Sequence, residues 1–318
     1  MSLRKTPRRK YQLSSLKKKS GFLRQLPYWL LALPAIIYLL MFNYAPMFGA
    51  IIAFKDYKVR DGIFGSEWVG LRNFKYFFSS VDAPRILRNT VLYNFAFIFI
   101  TKILVAAIFA LMMYEINSKF AAKVYQTSML IPHFMSYVVI SAVLMIFLNP
   151  TSGMINVIRQ QFGLEGIMWY SEPKYWPFII VLVNTWKDAG FASLYLYSSL
   201  LAIDSSLFEA ADLDGAGKLR KIWHISIPAL IPMICIIIIN SLGSIMSSGI
   251  DLFLTVPLES TALIPTTDVI ATYTYRGLKS SNYSYTSAVG LFQGVVGLIL
   301  VLTSNGIIRK VNPENAMF

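Results

Sequence analysis

Residues 204–232 read DSSLFEAADLDGAGKLRKIWHISIPALIP. Asp204 or Ser205 can cap a helix, because a short oxygen-bearing side chain accepts an unsatisfied N–H of the first turn. Glu209 then falls in the early turns, where the helix dipole favours acids. Leu207, Ala210, Ala211 and Asp214 follow at helical spacing. The two alanines leave a flat surface that a partner can approach closely. Gly215 can take the left-handed conformation that ends a helix. A second short helix is predicted from Ala216 through Trp223 toward Pro228. This polar pair separates two long apolar runs, 175–203 and 225–249.

The whole chain shares that apolar character. Of 318 residues, 56% are hydrophobic and 14% charged, whereas about a quarter of a soluble domain is charged. A soluble fold could not hide so much apolar surface behind so thin a polar rim. The aromatic content and the lack of a short period argue against disorder, collagen and coiled coil. The single cysteine, Cys235, rules out a disulfide framework and a Cys-based zinc site, and two histidines, His133 and His224, leave little for a metal or a Ser-His centre. No catalytic and no metal-ligating set is predicted. The composition is that of a helical integral membrane protein.

A helix in lipid needs roughly 20 apolar residues, because the backbone finds no water there. Six runs meet that demand: 26–54, 89–114, 124–148, 175–203, 225–249 and 285–308. The first is too long for a signal-peptide core. Residues 1–25 form a basic tail with nine Lys or Arg and no acid, which places the N-terminus in the cytoplasm near anionic lipid. A basic tail can also bind nucleic acid, but here no folded partner domain accompanies it. Six spans return the C-terminal segment, 309–318, to the cytoplasm, with Arg309 and Lys310 at the membrane edge. The loop 204–224 is then inside, and 55–88, 149–174 and 251–279 are outside. The outer loop 55–88 carries seven Lys or Arg, more than an outer loop usually does, and is predicted to fold as a small segment of its own. No internal repeat marks a secondary transporter.

Glu209-Ala210-Ala211, Asp214-Gly215-Ala216, Ile225, Pro228 and Pro232 resemble the EAA motif of ATP-binding-cassette importer permeases, in identity, spacing and position before the penultimate span. The resemblance implies that Glu209, Ala210, Ala211, Asp214, Gly215 and Pro228 couple the chain to a cytoplasmic ATPase, by two short helices that dock in its cleft. Further stretches resemble the LplB-like complex-sugar branch of that family. They are Trp68-Val69-Gly70-Leu71-Arg72-Asn73-Phe74, Asn149-Pro150 with Ser152-Gly153-Met154-Ile155-Asn156, Tyr175-Trp176-Pro177, and Tyr283-Ser284-Tyr285 with Ala288-Val289-Gly290-Leu291-Phe292. The implied fold is the type I importer permease. Its partners would be a second, related permease, two ATPase subunits and an extracytoplasmic sugar-binding protein. The implied location is the bacterial cytoplasmic membrane, spanned several times.

Gly215-Ala216-Gly217-Lys218-Leu219 looks like a phosphate loop at a glance. A true one needs Gly where Asp212 stands and Ser or Thr where Leu219 stands. ATP and Mg are therefore expected on partner ATPase subunits, with no cofactor in this chain.

Lys102, Lys187 and Asp188 are charges inside apolar runs, where charge is costly and points to a cavity or a partner. Either lysine can face acidic sugars, or form a structural pair with Asp188 or with a partner permease. Ser241, Ser244 and Ser248 recur at i, i+3, i+7 beside Asn240 and Ser247, a polar stripe on an apolar helix. Small hydroxyls can serve close helix packing or line a wet path. The resemblance places a sugar path on the fourth and fifth spans, where the matching residues are Asp188, Phe191, Tyr195, Ser241, Ser244 and Ser248. An aromatic face can stack on a pyranose while polar groups read its hydroxyls. His133 follows Pro132 and is expected as a packed or kink-associated residue rather than a proton relay. The expected function is import of oligosaccharides or polysaccharide fragments. Import of another solute such as a peptide or amino acid, ion-coupled secondary transport, and a membrane-embedded enzyme are the alternatives.

Overall fold

A computed structural model describes residues 21–247 and 249–311. The basic stretch 1–20, Ser248 and the end of the C-terminal segment lie outside the described residues. Two compact units divide the chain, one up to Ile51 and one from Ile52 onward.

In the first unit, α1 (Gly21–Leu39) contains Pro27 and Pro34 and runs into a π-helical turn, Leu40–Tyr44. The second unit opens with a short antiparallel pair, β1 (Lys55–Asp56) and β2 (Glu67–Trp68). Then come α2 (Arg72–Phe78), α3 (Ala83–Tyr114), α4 (Lys119–Phe134), α5 (Tyr137–Leu148), α6 (Trp176–Leu201), α7 (Ser205–Leu213), α8 (Lys218–Gly243), α9 (Ile270–Lys279) and α10 (Tyr283–Val311). Four helices of the described residues are long and apolar enough to cross a membrane: Gln25–Phe54, Ala83–Tyr114, Lys218–Gly243 and Tyr283–Lys310. There are six if each bent pair, α4 with α5 and Pro173–Leu201 with α7, counts as one span. The protein is a helical, multi-pass membrane protein.

The run 124–148 is broken in two, with α4 and α5 meeting at 97°. Pro132 removes a backbone donor from the last turn of α4, and Ser136 caps α5 by accepting the Val139 N–H. The helix of the run 225–249 ends at Gly243. Beyond it lies a stretch rich in Ser and Gly, residues that favour turns over continued helix. The run 89–114 begins earlier in the structure, at Ala83, and Arg85 in that extra turn reaches Asp268 at 3.4 Å.

The loop 55–88 is a folded unit. Trp68 stacks on Phe54, with centroids 5.6 Å apart. Gly70 takes a positive φ of 58°. Asn73 donates to the carbonyls of Ala53 and Lys55. Asn156 ties the loop 149–174 in the same way, donating to the Pro150 and Ile167 carbonyls and accepting from Ile167 N–H and Trp169 Nε1. Ser284 accepts the Tyr57 N–H at 2.8 Å. These residues, prominent in the sequence, staple the loops between the apolar helices.

Helix α6 is the centre of the second unit. Trp176, Ile179, Ile180 and Val183 pack with Tyr93, Phe97, Ile140 and Phe253 in one core. Ala192, Leu196 and Leu200 pack with Ala106, Ala110 and Leu230 in another. Small residues at these crossings let helices approach in lipid, where no hydrophobic effect drives them together. At Gly190 the approach is closest, since a Cβ there would collide with the Met129 carbonyl of α4.

Candidate functional site

The loop 204–224 folds as two short helical segments. Asp204 caps α7, accepting the Ser206 N–H at 3.0 Å. That hydrogen bond favours the ionised carboxylate and holds its pKa below the usual value. Glu209, Ala210 and Ala211 lie on α7, with Asp214 at its C-cap. Gly215 follows with φ +73°, and the Ala216 N–H returns to the Ala211 carbonyl at 2.9 Å, a Schellman-type close. Lys218–Lys221 then leads through a π-helical turn, Ile222–Ser226, into the rest of α8, where Pro228 stands exposed in the first turn of Ile227–Gly243.

Two ion pairs brace this loop, Lys218–Glu115 at 3.0 Å and Lys221–Asp212 at 2.7 Å. The Phe208 ring lies 5.8 Å from that of Tyr114 at the end of α3. Apolar side chains nevertheless remain outside: Leu213 is 91% exposed and Leu219 74%. Beside the exposed Glu209 they form a surface that nothing in the chain covers among the described residues.

The second feature is a cavity of about 520 Å³ between α3, α4, α6 and α8, within the roughly 300–1,000 Å³ of ligand sites. Lys102, His133, Asp188, Phe191, Tyr195, Asn240 and Ser241 line it. Lys102 lies in the π-helical part of α3, Phe97–Val105, a distortion that often accompanies functional sites. Its ammonium donates to Ser241 Oγ at 3.1 Å. His133 Nδ1 hydrogen-bonds Asp188 Oδ1 at 3.0 Å, and Asn184 donates to Oδ2 at 3.0 Å. The imidazole stacks on Phe191, 4.3 Å between centroids and 4° between planes. Tyr195 meets Phe191 edge-on at 5.7 Å. The wall therefore combines an aromatic face with an ammonium, an imidazole–carboxylate pair, an amide and a hydroxyl.

The structure brings together Asp188, Phe191, Tyr195 and Ser241 of the residues read from sequence. Ser244 lies past the end of α8 and donates to the Ser241 carbonyl, so the serine stripe does not continue as helix. Ser248 lies outside the described residues. Lys187 does not pair with Asp188. Its ammonium meets main-chain carbonyls of the α4–α5 break. His133, expected as a packed or kink-associated residue, sits at the α4–α5 break and packs on Phe191, and it also lines the cavity. Proximity to Pro132 signalled the break but not the direction of the ring. Asn184 went unmarked, because an amide in an apolar run carries no spacing signal.

A multi-pass helical protein with an exposed two-helix loop and a polar cavity among its helices has the form of a membrane transport subunit. Residues 102–315 match the family described as binding-protein-dependent transport system inner membrane component. The chain is 36% identical over 293 residues to the polygalacturonan/rhamnogalacturonan transport system permease protein YteP of Bacillus subtilis (strain 168), covering 90% of this chain and 88% of that one. It is 35% identical over 291 residues to protein LplB of the same organism, covering 90% and 89%. It also superposes, with a TM-score of 0.82 and 31% identity, on a chain of a bacterial alginate ABC transporter solved with an alginate pentasaccharide-bound periplasmic protein, covering 92% of this chain and 96% of that one. The chain belongs to the binding-protein-dependent transport permease family, as a permease subunit.

Proposed function

We propose that this chain is one permease subunit of an ATP-driven importer of oligosaccharides or polysaccharide fragments in the bacterial cytoplasmic membrane. The observation that carries the proposal is the cavity wall, where Phe191 and Tyr195 offer faces for a pyranose and Asp188, Asn240, Ser241 and Lys102 offer polar partners. The polysaccharides in the names of the similar transporters support the same substrate class. Lys102 gives one hydrogen to Ser241 and has two more for a sugar carboxylate.

In this proposal the chain crosses the membrane six times, with both termini in the cytoplasm, and pairs with a second permease. A binding protein delivers saccharide to the outer loops. ATP and Mg bind two separate ATPase subunits. Closure of the ATPase pair moves the segment Glu209 to Gly215, carried on α7, and α6 passes the motion to the cavity. The path then opens outward, and hydrolysis returns it inward. The exposed Leu213 and Leu219 fit the apolar cleft of an ATPase partner.

The test is a mild-detergent pull-down of the tagged chain with mass spectrometry. Recovery of a second permease, an ATPase and a saccharide-binding protein is the expected result, and that binding protein is then screened for its sugar. A homodimer that transports without any ATPase would overturn the proposal in favour of ion-coupled transport. A binding protein specific for peptides or amino acids would leave the class and overturn the substrate.

A further inference from the structure

Lys187 is 8% exposed on the membrane-crossing helix α6, a placement that is costly unless the ammonium finds partners. It finds three carbonyls. Nζ donates to His133 O and Met135 O, both at 2.6 Å, and to Pro132 O at 3.4 Å. It also lies 5.1 Å from the centre of the Tyr137 ring. The last carbonyls of a helix have no intrahelical donor and carry the negative end of its dipole. At the α4–α5 break Pro132 O accepts the Met135 N–H, while the carbonyls of His133 and Met135 stand in a membrane-embedded region with little water to meet them. A cation with three donors suits that place. The close approach of α6 to α4 at Gly190, less than one turn away, brings it within reach.

The next residue, Asp188, holds the ring of the same histidine. Neighbouring residues on a helix point in different directions. Here the two directions meet one target: Lys187 takes the main-chain carbonyl of His133, and Asp188 takes its imidazole. We infer that Lys187 and Asp188 form a two-point grip on His133, in which Lys187 is a positioning residue that holds the α4–α5 break and aims the imidazole into the cavity. The inference rests on the transport function proposed for that cavity. Helix α6 carries both residues and is separated from α7 by only residues 202–204. The grip therefore ties the cavity wall to the helix that leads to the ATPase-facing loop.

A double-mutant cycle on saccharide uptake by the reconstituted complex, with its binding protein, tests this. His133→Ala and Lys187→Met are each expected to lower uptake about tenfold, the scale of one lost hydrogen bond to a charged group. The double variant is expected to be no slower than either single one, because Lys187 acts through His133. Lys187→Arg, which keeps charge and donors, is expected to restore uptake to within about threefold of the unsubstituted protein. If Lys187→Met does not assemble, the cycle is run with Lys187→Gln, whose amide still donates to carbonyls. Losses that multiply, or an arginine variant as slow as the methionine one, would mean that Lys187 supports the fold alone and would overturn the grip. A His133→Ala variant with unchanged uptake would instead overturn the cavity assignment, and the grip with it.

Discussion

Lys102 stands in an otherwise apolar stretch, Phe97–Val105, where an ammonium is tolerated only beside water or a partner. Among the described residues its ammonium hydrogen-bonds a neutral hydroxyl, Ser241, while each oxygen of Asp188 already holds one hydrogen bond, with His133 or Asn184. A sugar carboxylate would complete the set. Lys102→Met is expected to lower uptake of an acidic oligosaccharide about tenfold relative to an uncharged one of equal length, as a charge-assisted hydrogen bond is worth about 1.5–3 kcal/mol. Competition uptake in proteoliposomes reads the ratio, and an equal loss for both sugars would remove Lys102 from recognition. Asp204 acts at the other end of α6. Its native carboxyl titrates below the unfolded value near 3.9, so the cap is fully formed above that pH and is lost as pH falls through the depressed native value. Asp204→Ala is expected to speed amide exchange over Ser206–Glu209 at neutral pH, and Asp204→Asn to keep it slow. No change with alanine would mean that tertiary contacts alone hold α7. The capping role of Asp204 was legible in the sequence because it depends on neighbours two residues away. The partner of Lys187 was not, because it lies 54 residues earlier in the chain.

At the scale of elements, the junction between α4 and α6 decides how the cavity is built. Gly190 lets the two backbones touch, and a side chain there would meet the Met129 carbonyl, which cannot rotate away. Gly190→Val is expected to destabilise the complex by about 1–3 kcal/mol and to disturb the cavity, as Lys187 would lose its reach to the α4 carbonyls. Thermal unfolding of the purified complex measures the first effect, and a wild-type melting temperature would show that the helices can separate without cost. The break between α4 and α5 had a local sign in Pro132 and Ser136. Its angle of 97° had none, since a run of apolar residues reads the same whether straight or bent. The serine series misled for the opposite reason: i, i+3, i+7 spacing assumes a helix that here ends at Gly243.

For the whole molecule, the coupling proposal places its contact with the ATPase on α7 and Gly215. Glu209→Lys reverses a charge on an exposed face, and Gly215→Pro imposes a negative φ where the chain needs +73°. Both are expected to reduce co-purification of the ATPase or uncouple hydrolysis from uptake, with membrane insertion unchanged. Pull-down yield and uptake per ATP hydrolysed check this, and normal values for both would place the contact elsewhere. Insertion should survive because the long apolar helices of the chain are untouched.

Hydropathy and local spacing alone determined that this is a helical membrane protein, where its apolar runs lie, and that residues 204–215 form a capped helix closed by a left-handed glycine. These properties depend on transfer free energy and on contacts within a turn or two, both of which are written in consecutive residues. Only the tertiary structure decided that His133 faces a cavity, that Lys187 and Asp188 divide its main chain and side chain between them, and that Lys102 meets Ser241 from 139 residues away. Those pairings arise where helices cross. In a chain whose helices are apolar on most faces, nothing in the periodicity marks which side turns inward.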